Sequence, residues 1–212
     1  MTDDLRGATG VFGGTFDPIH IAHLAIAEAA RDTFGLGRIL FVPAAQPPHK
    51  PDRRITAVEH RLAMVEAAIV GNAAFKVSRI EIERDGPSYT VDTLVALRES
   101  APGPRLALIM SADSYAEFAT WRDPDRILDL ADLIVAPRDG FAAADPDLVS
   151  RRFPQSTAAV AFLDGPRIRL SASEIRERAA AGRSVRYLVP DAVAAYISDH
   201  SLYQDPRRTD RS

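Results

Sequence analysis

Gly13-Gly14-Thr15-Phe16-Asp17-Pro18-Ile19-His20-Ile21-Ala22-His23 follows a short apolar run, Thr9 to Phe12, and leads into an alanine-rich stretch of helical period. A strand that passes through glycines into a helix offers backbone N–H groups and the positive end of a helix dipole to an anion. Two imidazoles three residues apart at a helix start share a face. They add donors that can follow charge as it moves during a reaction. The string therefore reads as a phosphate site built for chemistry. Two plainer readings compete with it: histidines in ordinary capping roles, and a metal-binding pair. The metal reading has no third ligand at a recognisable spacing.

Working outward, apolar runs bounded by turn residues alternate with helix-period stretches, the pattern of an α/β fold around a parallel sheet. Thr9 to Phe12 reads as a first strand and Gly13-Gly14 as a turn. A helix follows from Ile21 to Phe34, stopped by Gly35 and Gly37. Arg38 to Pro43 reads as a second strand, and the proline-dense segment from Ala44 to Arg54 as an irregular loop. Thr56-Ala57-Val58-Glu59 fits a capping box ahead of a helix bearing Leu62, Val65 and Ile69 on one face.

Phe75 to Ile82 reads as a third strand with its extension, Asp85-Gly86-Pro87 as a turn and Tyr89 to Glu99 as a helix. Leu106 to Met110 and Leu133 to Ala136 are continuous apolar runs, hence buried strands, with a short helix from Pro124 to Leu130 between them. Asp139 to Gln155 reads as a helical excursion, and Val160 to Leu163 and Arg167 to Leu170 as late strands. Ser171-Ala172-Ser173-Glu174 fits a second capping box, opening a helix closed by Gly182, and Pro190 to His200 is a last helix. The expectation is a Rossmann-like parallel sheet with helices on both faces and a small C-terminal helical part. It forms one domain over residues 8–203, with residues 1–7 and 204–212 as flexible termini. Ligands in such sheets bind beyond the carboxyl ends of the strands, where the motifs fall.

The 212 residues contain no cysteine, which excludes disulfides, thiolate catalysis and Cys-ligated zinc. A formal net charge of −3 argues against a general binder of nucleic acid or of membrane surfaces. The acidic start lacks the apolar core of a signal peptide, and no apolar run is long enough to span a bilayer. The expected location is the cytoplasm, with small molecules as partners. A homo-oligomer is compatible with these numbers.

The Gly13 to His23 string resembles the signature of the nucleotidylyltransferase superfamily, and the later motifs narrow the resemblance to the bacterial nicotinate-nucleotide adenylyltransferases. Pro43-Ala44-Ala45-Gln46-Pro47-Pro48-His49-Lys50 is similar to that family's loop after the second strand, and Gly86-Pro87-Ser88-Tyr89-Thr90 through Thr93 to its pyridine-site segment. Ser111-Ala112-Asp113-Ser114 with Trp121, Leu133 through Arg138, and Leu170-Ser171-Ala172-Ser173-Glu174-Ile175-Arg176 resemble its remaining elements, in the family's order.

The resemblance implies joining of the phosphate of nicotinate mononucleotide to the α-phosphorus of ATP, with Mg²⁺ carried by the triphosphate. His20, His23 and Arg176 would be catalytic. Gly13, Gly14, Thr15, Phe16, Asp113, Arg138, Ser171 and Ser173 would complete the ATP site. His49, Lys50, Tyr89, Thr90, Thr93, Asp113 and Trp121 would receive the mononucleotide. No cluster of acidic metal ligands is evident, so the cation is expected on substrate oxygens and water.

Two positions depart from the family pattern: Ala22 and Ser111 stand where glycine is usual, close to the expected nucleotide. They motivate a second class of reading, a nucleotide-binding regulator without turnover. A third keeps the chemistry and changes the acceptor to nicotinamide mononucleotide, pantetheine phosphate or a sugar or polyol phosphate.

Overall fold

The computed structural model describes residues 5–47, 55–100 and 103–204. Among them six parallel strands form one sheet: β1 (Thr9–Gly14), β2 (Arg38–Pro43), β3 (Phe75–Val77), β4 (Leu106–Ser111), β5 (Ala131–Ala136) and β6 (Val160–Phe162). Their order across the sheet is β3-β2-β1-β4-β5-β6, every neighbouring pair parallel. The chain therefore reverses its direction of travel between β1 and β4, the switch point at which ligands enter such sheets.

The helices are α1 (Ile21–Phe34), α2 (Val58–Ile69), α3 (Thr90–Ser100), α4 (Ala112–Ala116), α5 (Pro124–Leu130), α6 (Leu148–Arg152), α7 (Ala172–Ala180) and α8 (Asp191–Asp199). Because strand side chains alternate between faces, the sheet feeds two apolar clusters. Phe12, Ala107, Ile109, Ile134 and Ala136 pack on one side with Ala27, Ala30 and Phe34 of α1, Met64 and Val65 of α2, Ile175 of α7 and Val193 of α8. Val11, Leu108, Met110, Leu133 and Val135 pack on the other with Val91 and Leu94 of α3, Tyr115 of α4 and Ile127 of α5. Leu5, in a segment expected to lie outside the domain, is buried in the first cluster.

Several local expectations give way. Gly13 and Gly14 are not a turn; they continue β1 and pair with Val42 and Pro43 of β2. The chain leaves the sheet after Gly14, and the φ of 47° at Phe16 is left-handed. That turn lays the Phe16 ring over Gly14, where a Cβ would come within 2.9 Å of it. The third strand ends at Val77, since Ser78 gives the last amide to Phe41 and turns follow. Arg167 to Leu170 forms no strand.

The capping box at Thr56 does not form either. Ala57 is the N-cap of α2 without a side-chain bond, because Thr56 gives its amide to Asp17 and its carbonyl to Arg61. At α7, by contrast, Ser171 caps as expected, its hydroxyl accepting from the Glu174 amide at 3.2 Å.

Candidate active site

A cavity of about 510 Å³ opens at the carboxyl ends of β1, β4 and β5. Its walls bring together Gly13, Gly14, Thr15 and Phe16 from the end of β1, His20 and His23 from the start of α1, and Ser171, Ser173 and Arg176 from α7. These come from parts of the chain about 150 residues apart, and the sheet reversal places them in one cleft. A Cβ on Gly13 would meet no atom within 4 Å, so the backbone there is open.

The two imidazoles stack with ring centroids 3.6 Å apart and planes 19° from parallel. The His20 amide donates to His23 Nδ1 at 3.2 Å. That bond makes Nδ1 the acceptor, so a neutral His23 carries its proton on Nε2. Both rings are held neutral. Burial and then the nearby Arg138 guanidinium bring His20 down to about 4. Burial, His20 and Arg138 push His23 well below the ordinary imidazole value. An arriving polyanion opposes these causes and favours the charged form. His20 Nδ1 is buried without a hydrogen-bond partner.

Arg176 lines the same cleft. Its Nη1 donates to the Asp17 carbonyl at 2.7 Å and Nη2 to Ser173 Oγ at 3.1 Å. The guanidinium is thus fixed at both ends, with the start of α7 beside it. Imidazole donors, a planar cation and a helix N-terminus around one space are the parts a chain of phosphates requires.

Ser111 and Arg138 line a further wall, the ends of β4 and β5. Arg138 Nη1 donates to Asp113 Oδ2 at 2.6 Å, and its guanidinium lies 5.3 Å from the Phe141 ring centroid. Asp113 Oδ1 is buried and unpartnered. Ala22 lines the cleft and is buried. The extra methyl relative to glycine is accommodated without closing the space.

The pyridine-site candidates divide. Thr90 and Trp121 line the same cleft. Tyr89 and Thr93 do not. The Thr93 hydroxyl donates to Glu81 Oε1 at 2.6 Å and is buried there, and the Tyr89 ring sits under the Arg122 guanidinium at 4.6 Å. Ser88 lines the cleft, its hydroxyl accepting from the Ala45 and Gln46 amides and so fixing the loop after β2. His49 and Lys50 lie outside the described residues.

Sequence reasoning missed four residues. Glu81 lines the cleft and its carboxyl is pushed up by burial. Arg61, 1% exposed, donates to the carbonyls of Thr56 and Thr15, both at 2.8 Å, and of Ala45 at 3.3 Å. Asp17 is buried, with Tyr203 donating to its Oδ1 at 2.8 Å. A charged residue on the apolar face of α2, between Val58 and Leu62, was the available signal for Arg61. Nothing in the spacing pointed to Tyr203.

Among the described residues no three histidine or acidic side chains gather to hold a metal ion. The cleft's donors are imidazoles and guanidiniums; Asp17, Glu81 and Asp139 also line it, the first two engaged by Tyr203 and Thr93. This donor set suits a cation delivered on phosphate oxygens, not one caged by the protein. Among the described residues no helix is long and apolar enough to cross a membrane.

The cytidylyltransferase-like family model matches residues 11–178. A Salinibacter ruber protein named "probable nicotinate-nucleotide adenylyltransferase" is 47% identical over 92% of this chain and 97% of its own. One of the same name from Thermomicrobium roseum is 45% identical over 92% and 91%. The Plasmodium falciparum nicotinic acid mononucleotide adenylyltransferase, solved with NaAD, superposes with a TM-score of 0.75 at 18% identity, over 93% of this chain and 98% of that one. At that identity the likeness establishes the fold.

Proposed function

The chain belongs to the cytidylyltransferase-like family and, within it, to the nicotinate-nucleotide adenylyltransferases, and from that premise we infer that it transfers the adenylyl group of ATP to nicotinate mononucleotide. The products are deamido-NAD and pyrophosphate, a step of NAD biosynthesis. The observation that carries the reading is the single cleft shared by His20, His23 and Arg176.

A phosphate oxygen of the mononucleotide forms a bond to the α-phosphorus of ATP as the bond to the bridging α–β oxygen breaks. Pyrophosphate leaves with the electron pair. No covalent enzyme intermediate is needed, so the protein's contribution is alignment and electrostatic stabilisation. His23, with its proton directed to Nε2, and His20 stabilise charge growing around the α-phosphorus. Arg176, Ser171, Ser173 and the start of α7 hold the β- and γ-phosphates. The backbone from Gly13 to Phe16 lies along the nucleotide, Arg138, held by Asp113 Oδ2, covers the adenine side, and Asp113, which does not line the cleft, is assigned to the ribose from its motif.

Trp121 stacks on the pyridine ring, and Thr90 at the start of α3 receives its carboxylate, which the helix dipole favours. His49 and Lys50 are assigned to the mononucleotide phosphate from their motif. Tyr89 and Thr93 support this wall from behind. Mg²⁺ accompanies ATP and neutralises part of its charge, held by phosphate oxygens and water. The reaction needs neither nucleic acid nor membrane as partner and is assigned to the cytoplasm; a homo-oligomer is compatible with it.

Pyrophosphate release with ATP and either mononucleotide tests the reading. Turnover of the acid in preference to the amide is expected. ATP binding without release on either acceptor would overturn it in favour of a regulator.

A further inference from the structure

Asp17 sets a problem for a phosphate site. It lines the cleft three residues before His20, and a carboxylate turned toward a triphosphate would repel it. Protein donors take both of its carboxylate oxygens. Its Oδ1 accepts from the Tyr203 hydroxyl at 2.8 Å and its Oδ2 from the Thr56 amide at 3.3 Å. Arg176 Nη1 lies 4.0 Å from Oδ2 while donating to the Asp17 carbonyl at 2.7 Å. One residue thus joins the C-terminal segment, the loop before α2 and the phosphate-facing arginine.

Tyr203 reaches this position by an unusual route. After α8 the chain doubles back through Ser201 and Tyr203, with φ of 48° and 66°, and the Leu202 amide returns to the Ile197 carbonyl at 2.9 Å. Two left-handed non-glycine residues in three positions are costly and persist only where contacts over-determine them. Here the Tyr203 ring packs against the first apolar cluster and its hydroxyl meets Asp17.

We infer that Tyr203 is a positioning residue of the nucleotide site, holding the Asp17 carboxylate off the phosphates and so aiming Arg176 at them. Burial and the Asp17 charge push the Tyr203 phenol upward, which keeps it a donor throughout the working pH range. The inference rests on the adenylyl-transfer reading for its kinetic test and on ATP binding for an independent one.

Tyr203→Phe keeps the ring and removes the donor. Its kcat/KM for ATP should fall about tenfold, or ~1.4 kcal/mol, with KM for nicotinate mononucleotide changed less than about twofold. Calorimetric titration should show weaker ATP binding. In the Asp17→Ala background the same change should add nothing, since the two groups act as one unit. Unchanged kinetics with only a lower Tm would overturn the inference, as would equal losses on both substrates or losses that multiply in the double variant. A wild-type enzyme that releases no pyrophosphate would instead contradict the proposed function, and the ATP titrations would still decide the role of Tyr203.

Discussion

Moving the protein from pH 7 to pH 5 should remove about 2 kcal/mol of unfolding free energy through His20 alone. In the folded protein burial, followed by Arg138, holds this imidazole at about 4; in the unfolded chain it returns to roughly 6.5. Below that value the unfolded state takes up a proton that the folded state refuses. Stability from this group is therefore full above about pH 6.5, declines as pH falls and levels off below about 4. Proton binding integrated between the two values gives about 2 kcal/mol at pH 5 and ~3 kcal/mol at the acid limit.

The assay is urea unfolding of the wild type and His20→Asn at both pH values. His23 acts in the same direction, and Glu81, whose carboxyl is raised, acts in the opposite one. The difference between the two proteins reports His20 together with its effect on His23. Equal pH slopes for both would refute the claim that the cleft holds this ring neutral.

Arg61→Leu should lower unfolding free energy by more than ~3 kcal/mol, because the Thr15, Ala45 and Thr56 carbonyls lose a buried charged donor; a lower urea midpoint at unchanged slope checks this. Trp121→Ala should raise KM for nicotinate mononucleotide about tenfold, the scale of one lost stacking contact, with a much smaller change for ATP. Equal effects on both substrates would reduce Trp121 to packing against Phe118, 5.7 Å away.

Elements whose signal is local were legible in the sequence. The α1 boundaries Ile21 and Phe34, the β2 strand and the Ser171 cap all follow from periodicity, glycine at the helix end and short-range hydrogen bonding. That Gly13 to His23 runs from a strand end into a helix start was legible for the same reason. What was hidden depends on partners distant in the chain. Gly13 and Gly14 read as a turn because glycine favours turns, yet parallel pairing with Val42 and Pro43 keeps them in β1. Thr56 has the spacing of a capping box, but Asp17, 39 residues earlier, claims its amide. Thr93 falls at helix spacing from Thr90, and only the fold reveals that Glu81 occupies its hydroxyl. Arg61 and Tyr203 act through contacts 46 and 186 residues away, beyond the reach of any spacing rule.

The most direct measurement is a crystal structure of the protein with a non-hydrolysable ATP analogue and nicotinate mononucleotide. The α-phosphate is expected against His20 and His23, the β- and γ-phosphates against Arg176 and the start of α7, and the pyridine ring on Trp121. A triphosphate bound away from either the histidine pair or Arg176 would contradict this arrangement.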